Sequence, residues 1–375
     1  ILNMSGKLFI LSGEPSGDLH GANLVKALLA ESPTLEIQCW GGDKMQAAGA
    51  KVMKHIDELA FMGFVEVAMN LGQILSNFKL CRKQIEAFQP DLVVFIDYPG
   101  FNLRMAKHVH AMNIPTAYYI SPQIWAWKES RVSKVKAFVD HVFVILPFEK
   151  AFYEKHGVSA EFVGHPLLDE IQQIEVDPIA FRHQHNIQGE KPIIAVLPGS
   201  RTQEISRILP ETENLVKAFP NHQIMVSKVS WQPMHLYDKM IASGAKIMEG
   251  HTYELLKLSE AAVVTSGTAT LETALIGTPQ VVVYKANWLS VIIARWLVKI
   301  KYISLVNLVM DKPVVTELIQ GEVTEKSIQS ELNAIIEGGK KRTSILDDYK
   351  KLRQKLGEKG ASEIVAKRLL KIINP

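Results

Sequence analysis

Three clusters in this chain combine residue types that can hold an anion or move a proton. Ser266-Gly267-Thr268 is a small, hydroxyl-rich turn just ahead of Ala269 and a helical stretch that carries Glu272. Free backbone N–H groups point out of such a turn, and the helix dipole adds partial positive charge, which suits an anion. Glycine lets a ligand approach the backbone closely. Glu272 falls one turn into the helix, where a carboxylate can accept hydrogen bonds from ribose hydroxyls. The plainer reading is a βαβ crossover with a Gly/Thr cap. Pro198-Gly199-Ser200-Arg201 sets a guanidinium beside a glycine turn and a helix opening near Glu204. Arginine stays charged and binds bidentately, so this is a diphosphate grip; a purely structural arginine is the alternative. Asp97 is the last residue of the buried strand Asp91–Asp97, and Tyr98-Pro99-Gly100 stops it. Ligands of open α/β sheets bind beyond the carboxyl ends of the strands. Asp97 is therefore placed as a general base or, more plainly, as an N-cap of the next helix.

The elements that must position these groups alternate between strand and helix. Lys7–Ser12 reads as a strand, Gly13-Glu14-Pro15-Ser16-Gly17-Asp18 as a turn, and Leu19 to Glu31 as a helix. That turn lacks both the GxGxxG fingerprint and the phosphate-loop lysine, so it closes over a phosphate or merely turns the chain. His20 reads as a helix-surface or capping residue before it reads as a base. Leu35–Trp40, Thr116–Ile120 and His141–Leu146 are further strands; Ser121 to Lys128 is a loop with Trp125 and Trp127. Residues 167–191 read as a domain junction. Ile193–Leu197, His222–Val226, Ala245–Met248, Ala261–Thr265 and Gln280–Tyr284 restart the same plan. Strand, glycine turn and helix thus recur through two Rossmann-like domains with parallel sheets. This points to a cleft enzyme with a nucleotide in one half and an acceptor in the other. From Thr324 the chain is helical and charged.

Composition narrows the class. With 375 residues the chain is long for one core and suits two domains. Hydrophobic residues at 47% and charged residues at 22% describe a globular chain. A net charge of +3 excludes a general nucleic-acid coat. Cys39 and Cys81 are too few and too far apart for a disulfide framework, which implies a reducing compartment. No signal peptide and no apolar span of transmembrane length is expected. Two stretches are nonetheless apolar beyond an ordinary core stripe. Residues 57–80 hold Phe61, Met62, Phe64, Val65, Val67, Met69, Leu71, Ile74 and Leu75. Residues 287–302 interleave Arg295, Lys299 and Lys301 with apolar residues, the pattern of a helix on an anionic membrane surface. Buried helices are the alternative for both.

Nine segments in order carry a resemblance over nearly the whole chain. SGEPSGD (12–18), FMGFVEV (61–67), IDYPGFN (96–102), YISPQIWAWK (119–128), LPFEKAFY (146–153), FVGHPLLD (162–169), LPGSR (197–201), TSGTATLE (265–272) and SLVNL (304–308) together resemble the lipid-A-disaccharide synthase family. One departure is Val306, where the family pattern has proline. The resemblance implies an α/β GT-B glycosyltransferase fold: an acceptor-side domain over 1–168, a UDP-sugar domain over 169–345, and helices of 346–375 packing back on the first. It implies transfer from UDP-2,3-diacylglucosamine to 2,3-diacylglucosamine 1-phosphate, with inversion, release of UDP, and neither metal nor cofactor. Asp97 would be the base, and Asn307 would orient sugar or phosphate. Ser200, Arg201, Gly267, Thr268, Ala269 and Glu272 would bind UDP, and Gly13, Ser16, Gly17 and Asp18 would line the acceptor side. It further implies a cytoplasmic protein in peripheral contact with anionic lipid of the inner membrane and without nucleic acid, and it leaves a homodimer open. Two rivals remain: another UDP-sugar enzyme of this fold, such as an epimerase or a peptidoglycan glycosyltransferase, and a membrane-associated nucleotide-binding module without catalysis.

Overall fold

The computed structural model describes residues 6–59, 71–125, 129–172, 174–187, 189–286 and 301–374. Much of the apolar 57–80 stretch, all but the end of the basic 287–302 run, and Trp127 lie outside these residues. The chain divides into two compact units, Ile1–Pro166 with Leu356–Pro375, and Leu167–Lys355.

Among the described residues, the first unit holds seven strands: β1 (Lys7–Leu11), β2 (Glu36–Gly41), β3 (Lys51–His55), β4 (Leu92–Ile96), β5 (Thr116–Tyr119), β6 (His141–Val144) and β7 (Ala160–Phe162). They lie parallel in the order β3-β2-β1-β4-β5-β6-β7. β1 and β4 are apolar on both faces because a parallel sheet is covered by helices on both. Alternation divides their side chains. Phe9, Leu11, Val93, Phe95 and Tyr118 enter one core; Leu8, Ile10, Val94, Ile96 and Tyr119 enter the other. The final helix, Ala361–Ile373, completes that second core with Val365, Ala366, Leu369 and Leu370. It packs on the Pro15–Glu31 helix, so the chain's end belongs to the first unit. The Pro15–Glu31 helix starts four residues before the sequence suggested, because Pro15 takes the first helical position and forgoes only an N–H that would be unpaired there.

The second unit carries β8 (Ile193–Leu197), β9 (Gln223–Lys228), β10 (Lys246–Glu249), β11 (Ser259–Thr265), β12 (Gln280–Tyr284) and β13 (Thr316–Ile319). They are parallel in the order β10-β9-β8-β11-β12-β13. The stretch read as a junction contributes helices to this unit, Leu167–Gln172 and Pro178–Gln184. Asp177 caps the latter by accepting from the N–H groups of Ile179 (2.9 Å) and Ala180 (3.2 Å). The edge strands β3 and β13 are absent from the sequence reading. Among the described residues no helix is long and apolar enough to cross a membrane.

Both units share one topological feature. The strand order reverses between β1 and β4 in the first, and between β8 and β11 in the second. Such switch points are where open α/β sheets bind ligands. The loops leaving these four strands are Ser12–Glu14, Asp97–Tyr98, Pro198–Arg201 and Ser266–Gly267.

Candidate active site

In the first unit, the Gly13 turn and Asp97 stand side by side, since β1 and β4 are paired up to Leu11 and Phe95. Asp97 (φ 44°) and Tyr98 (φ 47°) are both left-handed, an uncommon state for residues with a Cβ. The helix Pro99–Ala111 is capped at Tyr98 without a side-chain bond, so Asp97 is not its N-cap. Burial lifts the Asp97 carboxyl from 3.8 to about 6; the Glu14 charge pushes the same way, while the Tyr98 N–H and His20 pull it back. A carboxylate so raised is ionised at neutral pH yet more basic than an ordinary aspartate, which suits proton abstraction.

The neighbouring residues divide between contact and support. A Cβ on Gly13 would sit 2.4–2.6 Å from the Tyr98 ring, so this position has no room for a side chain. Gly17 lets the helix approach Ser12, whose Cβ a side chain would meet at 2.9 Å. Ser16 is exposed at the helix start. Asp18 departs from its expected place along the acceptor side. It is buried, and its carboxylate accepts from the N–H groups of Gly42 (2.6 Å), Met45 (3.1 Å) and Lys44 (3.2 Å). Its oxygens hold the loop after β2. His20 is half-buried and electrostatically linked to Asp97 and His165, more than a surface residue. Burial, aided by the His20 charge, holds His165 down near 3.

Glu149 is a residue that the sequence pattern does not single out for the site. It is buried at the start of the Pro147–Lys155 helix and accepts from the N–H groups of Ile145 (3.2 Å), Leu146 (3.0 Å) and the Trp125 indole (3.1 Å). Burial pushes it to about 7, and Asp97 adds to the rise. Proline at the first and glutamate at the third helical position of LPFE is the legible signal for this role. Trp125 is thereby fixed, edge-on to Phe148 at 4.8 Å.

In the second unit, the loops after β8 and β11 adjoin through the pairing of those strands. They differ in what fills them. Gly199 is left-handed (φ 105°), and a Cβ there would meet the Glu204 carboxylate at 2.4 Å. Glu204 accepts from the N–H groups of Ser200 (3.1 Å) and Arg201 (3.2 Å) and from Arg201 Nη1 (2.9 Å). The backbone donors of this turn are thus already engaged. The Arg201 side chain is 75% exposed, so it is less fixed than the sequence suggested. The Ser266-Gly267-Thr268 turn is open by contrast. No side chain caps the Thr268–Ile276 helix, Gly267 and Thr268 are exposed, and Ala269 is half-buried. Thr270 Oγ1 donates back to the Gly267 carbonyl at 2.8 Å. Glu272 is half-buried and hydrogen-bonded to Tyr253. Burial and then the Glu170 charge raise its carboxyl to about 7.

Asn307 lies in the Leu305–Met310 helix and is 1% exposed. Its Nδ2 donates to the Val315 carbonyl and to Glu317 (both 2.9 Å), and its Oδ1 accepts from the Val315 N–H (3.0 Å). These bonds engage its amide within the fold, and the residue also lines a cavity with Tyr302, Thr316 and Lys341. Its effect runs through Glu317, which also binds the N–H groups of Ile303 (3.0 Å) and Ser304 (2.9 Å). The Ile303 carbonyl in turn accepts from Ser266 Oγ at 2.8 Å. Asn307 therefore braces the open turn. Among the described residues no group of three or more His, Cys, Asp or Glu side chains is gathered as metal ligands.

Comparisons with known proteins identify the fold and the family. Among solved structures, the chain is similar to a UDP-GlcNAc 2-epimerase from Neisseria meningitidis bound to UDP-GlcNAc, with a TM-score of 0.70 and 13% identity over 97% of this chain and 100% of that one. It is similar to the glycotransferase of kitacinnamycin at a TM-score of 0.67 and 13% identity, over 98% and 99% of the two chains. At such identities the likeness concerns the fold, and it bears out the GT-B class of two Rossmann-like units. The lipid-A-disaccharide synthase of Syntrophus aciditrophicus is 39% identical over 99% of both chains; that of Myxococcus xanthus is 36% identical over 98% of both. The family described as lipid-A-disaccharide synthetase matches residues 8–372. The chain belongs to the lipid-A-disaccharide synthetase family of glycosyltransferase enzymes.

Proposed function

We propose that the enzyme joins UDP-2,3-diacylglucosamine to 2,3-diacylglucosamine 1-phosphate, giving the β-1,6 disaccharide 1-phosphate and UDP with inversion at the anomeric carbon. The observation that carries this reading is Asp97, a carboxylate of raised basicity at a sheet switch point. Asp97 takes the proton of the acceptor 6-hydroxyl as its oxygen attacks the anomeric carbon and the bond to UDP breaks. Charge develops on the departing diphosphate. The open helix start at Gly267, Thr268 and Ala269 and the exposed guanidinium of Arg201 meet it. Arg201 uses Nη1 toward Glu204, which leaves its other N–H groups for an anion. Ser200 shapes that loop, and Glu272 accepts from the ribose hydroxyls. Gly13, Ser16 and Gly17 border the acceptor, and Asp18 keeps that border in place. This division of labour assigns no step to a metal.

Both proposed substrates carry acyl chains, which supports peripheral action on the cytoplasmic face of the inner membrane. In the Leu71–Phe88 helix, Leu75 is 59% exposed and Leu80 is 37% exposed, beside exposed Lys79 and Lys83. Leucines and lysines exposed together on one helix suit contact with anionic lipid. The likeness of fold to epimerases supplies a second reading, a UDP-N-acetylglucosamine enzyme. UDP release measured on acylated and unacylated donors separates the two: preference for the acylated donor is expected, and turnover of UDP-N-acetylglucosamine alone would replace the proposal by its rival.

A further inference from the structure

Three residues without glycine's freedom are left-handed at adjoining strand ends of the first unit. Asp97 and Tyr98 follow β4, and Ile120 (φ 59°) follows β5. They are joined, since the Asp97 N–H donates to the Ile120 carbonyl at 3.3 Å. Such backbone is disfavoured for residues with a Cβ, most of all for a β-branched one, and it persists only where surrounding contacts over-determine it. Those contacts are specific. Asn102 is fully buried, and its Nδ2 faces three carbonyls: Asp97 (2.8 Å), Ile96 (3.2 Å) and Leu11 (3.4 Å). The last is the final residue of β1, so one amide ties the two strands that flank the switch point. The Tyr118 hydroxyl donates to the same Asp97 carbonyl at 2.5 Å. The two donors converge on that one carbonyl.

We infer that Asn102 and Tyr118 are positioning residues for the reaction: they clamp the carbonyl of Asp97 and so fix the left-handed turn that presents its carboxylate at the strand end. This rests on the reading of Asp97 as the base. Without the clamp the Asp97–Tyr98 peptide relaxes toward ordinary backbone angles, which swings the carboxylate off the acceptor hydroxyl. Substrate contacts elsewhere are untouched, so the loss falls on kcat.

The test is a double-mutant cycle read by UDP release from UDP-2,3-diacylglucosamine with 2,3-diacylglucosamine 1-phosphate. Tyr118→Phe keeps the ring packed on Phe95 (5.8 Å) and removes only the hydroxyl. Asn102→Ser is the second variant, and Asp97→Asn supplies the background without the base. Each clamp variant is expected to lower kcat by about tenfold or more, with KM for both substrates changed less than about twofold. Neither should lower the residual rate of Asp97→Asn further. Unchanged kcat in Tyr118→Phe, beside an inactive Asp97→Asn, would overturn the clamp and leave the base reading standing. A loss that persists in the Asp97→Asn background, or that falls on KM, would also overturn the clamp. Full turnover in Asp97→Asn would overturn the base reading and the clamp with it.

Discussion

Lowering the pH is the most revealing perturbation of the proposed base. An ordinary aspartate near 3.8 is about nine-tenths ionised or more at pH 5, so its activity would scarcely fall there. With Asp97 raised to about 6, roughly a tenth is ionised at pH 5, so kcat/KM should drop about tenfold between pH 7.5 and pH 5. Glu14 is the second cause of the rise after burial, so Glu14→Gln should move the acid limb to lower pH. Stability supplies an independent readout. The folded state keeps the Asp97 proton up to about pH 6, whereas the unfolded chain releases it near 3.8. Between these values the folded state binds more protons, so this residue's contribution to stability declines as pH rises through the window. Asp97→Asn should therefore melt at a higher temperature than the native enzyme at pH 7 and above, and the gap should close below about pH 4. The assays are a pH profile of UDP release and parallel thermal melts. A kcat/KM that stays flat down to pH 5 would refute the reasoning, as would Asp97→Asn with near-normal turnover.

Other consequences follow from the second unit and the helix surface. Arg201→Ala should weaken UDP binding about tenfold by calorimetry, and unchanged affinity would remove Arg201 from the diphosphate grip. Asn307→Ala strands the Val315 N–H and C=O and one proton acceptor of Glu317. It should cost about 2 kcal/mol or more in chemical denaturation and lower UDP affinity through the Ser266 turn; native stability would contradict the bracing role. Leu75→Glu combined with Leu80→Glu should release the protein from anionic vesicles in flotation without altering its melting temperature, and retained vesicle binding would place the lipid contact elsewhere.

What was legible followed burial. β1, β4, β8 and β11 contain the apolar runs LFIL, LVVFI, IIAVL and AAVV and are followed by Gly- or Pro-containing turns, and such runs announce central strands of a parallel sheet. β3 and β13 were hidden because they are short edge strands, KVMKH and TELI, with no wholly apolar run. The place of Asp97 could be inferred from the strand it ends. Its left-handed backbone could not, because neither aspartate nor tyrosine announces that state and the clamping groups come from Asn102 and from Tyr118 on the next strand. Asp18 and Asn307 show a second limit. A polar residue in a glycine-rich or apolar motif can face a ligand or a backbone amide with equal propriety. Asp18 finds its partners 24 to 27 residues away, beyond any local pattern. Arg201 shows a third, because its partner Glu204 is close in sequence yet occupies the backbone donors that an anion would otherwise meet.

The most direct test of the proposed reaction is product analysis. The enzyme is incubated with UDP-2,3-diacylglucosamine and 2,3-diacylglucosamine 1-phosphate in the presence of EDTA, and the products are identified by mass spectrometry. A tetraacyl disaccharide 1-phosphate, formed in equal amount with UDP, is the predicted result. Folded enzyme that binds UDP but forms no disaccharide from this pair would contradict it.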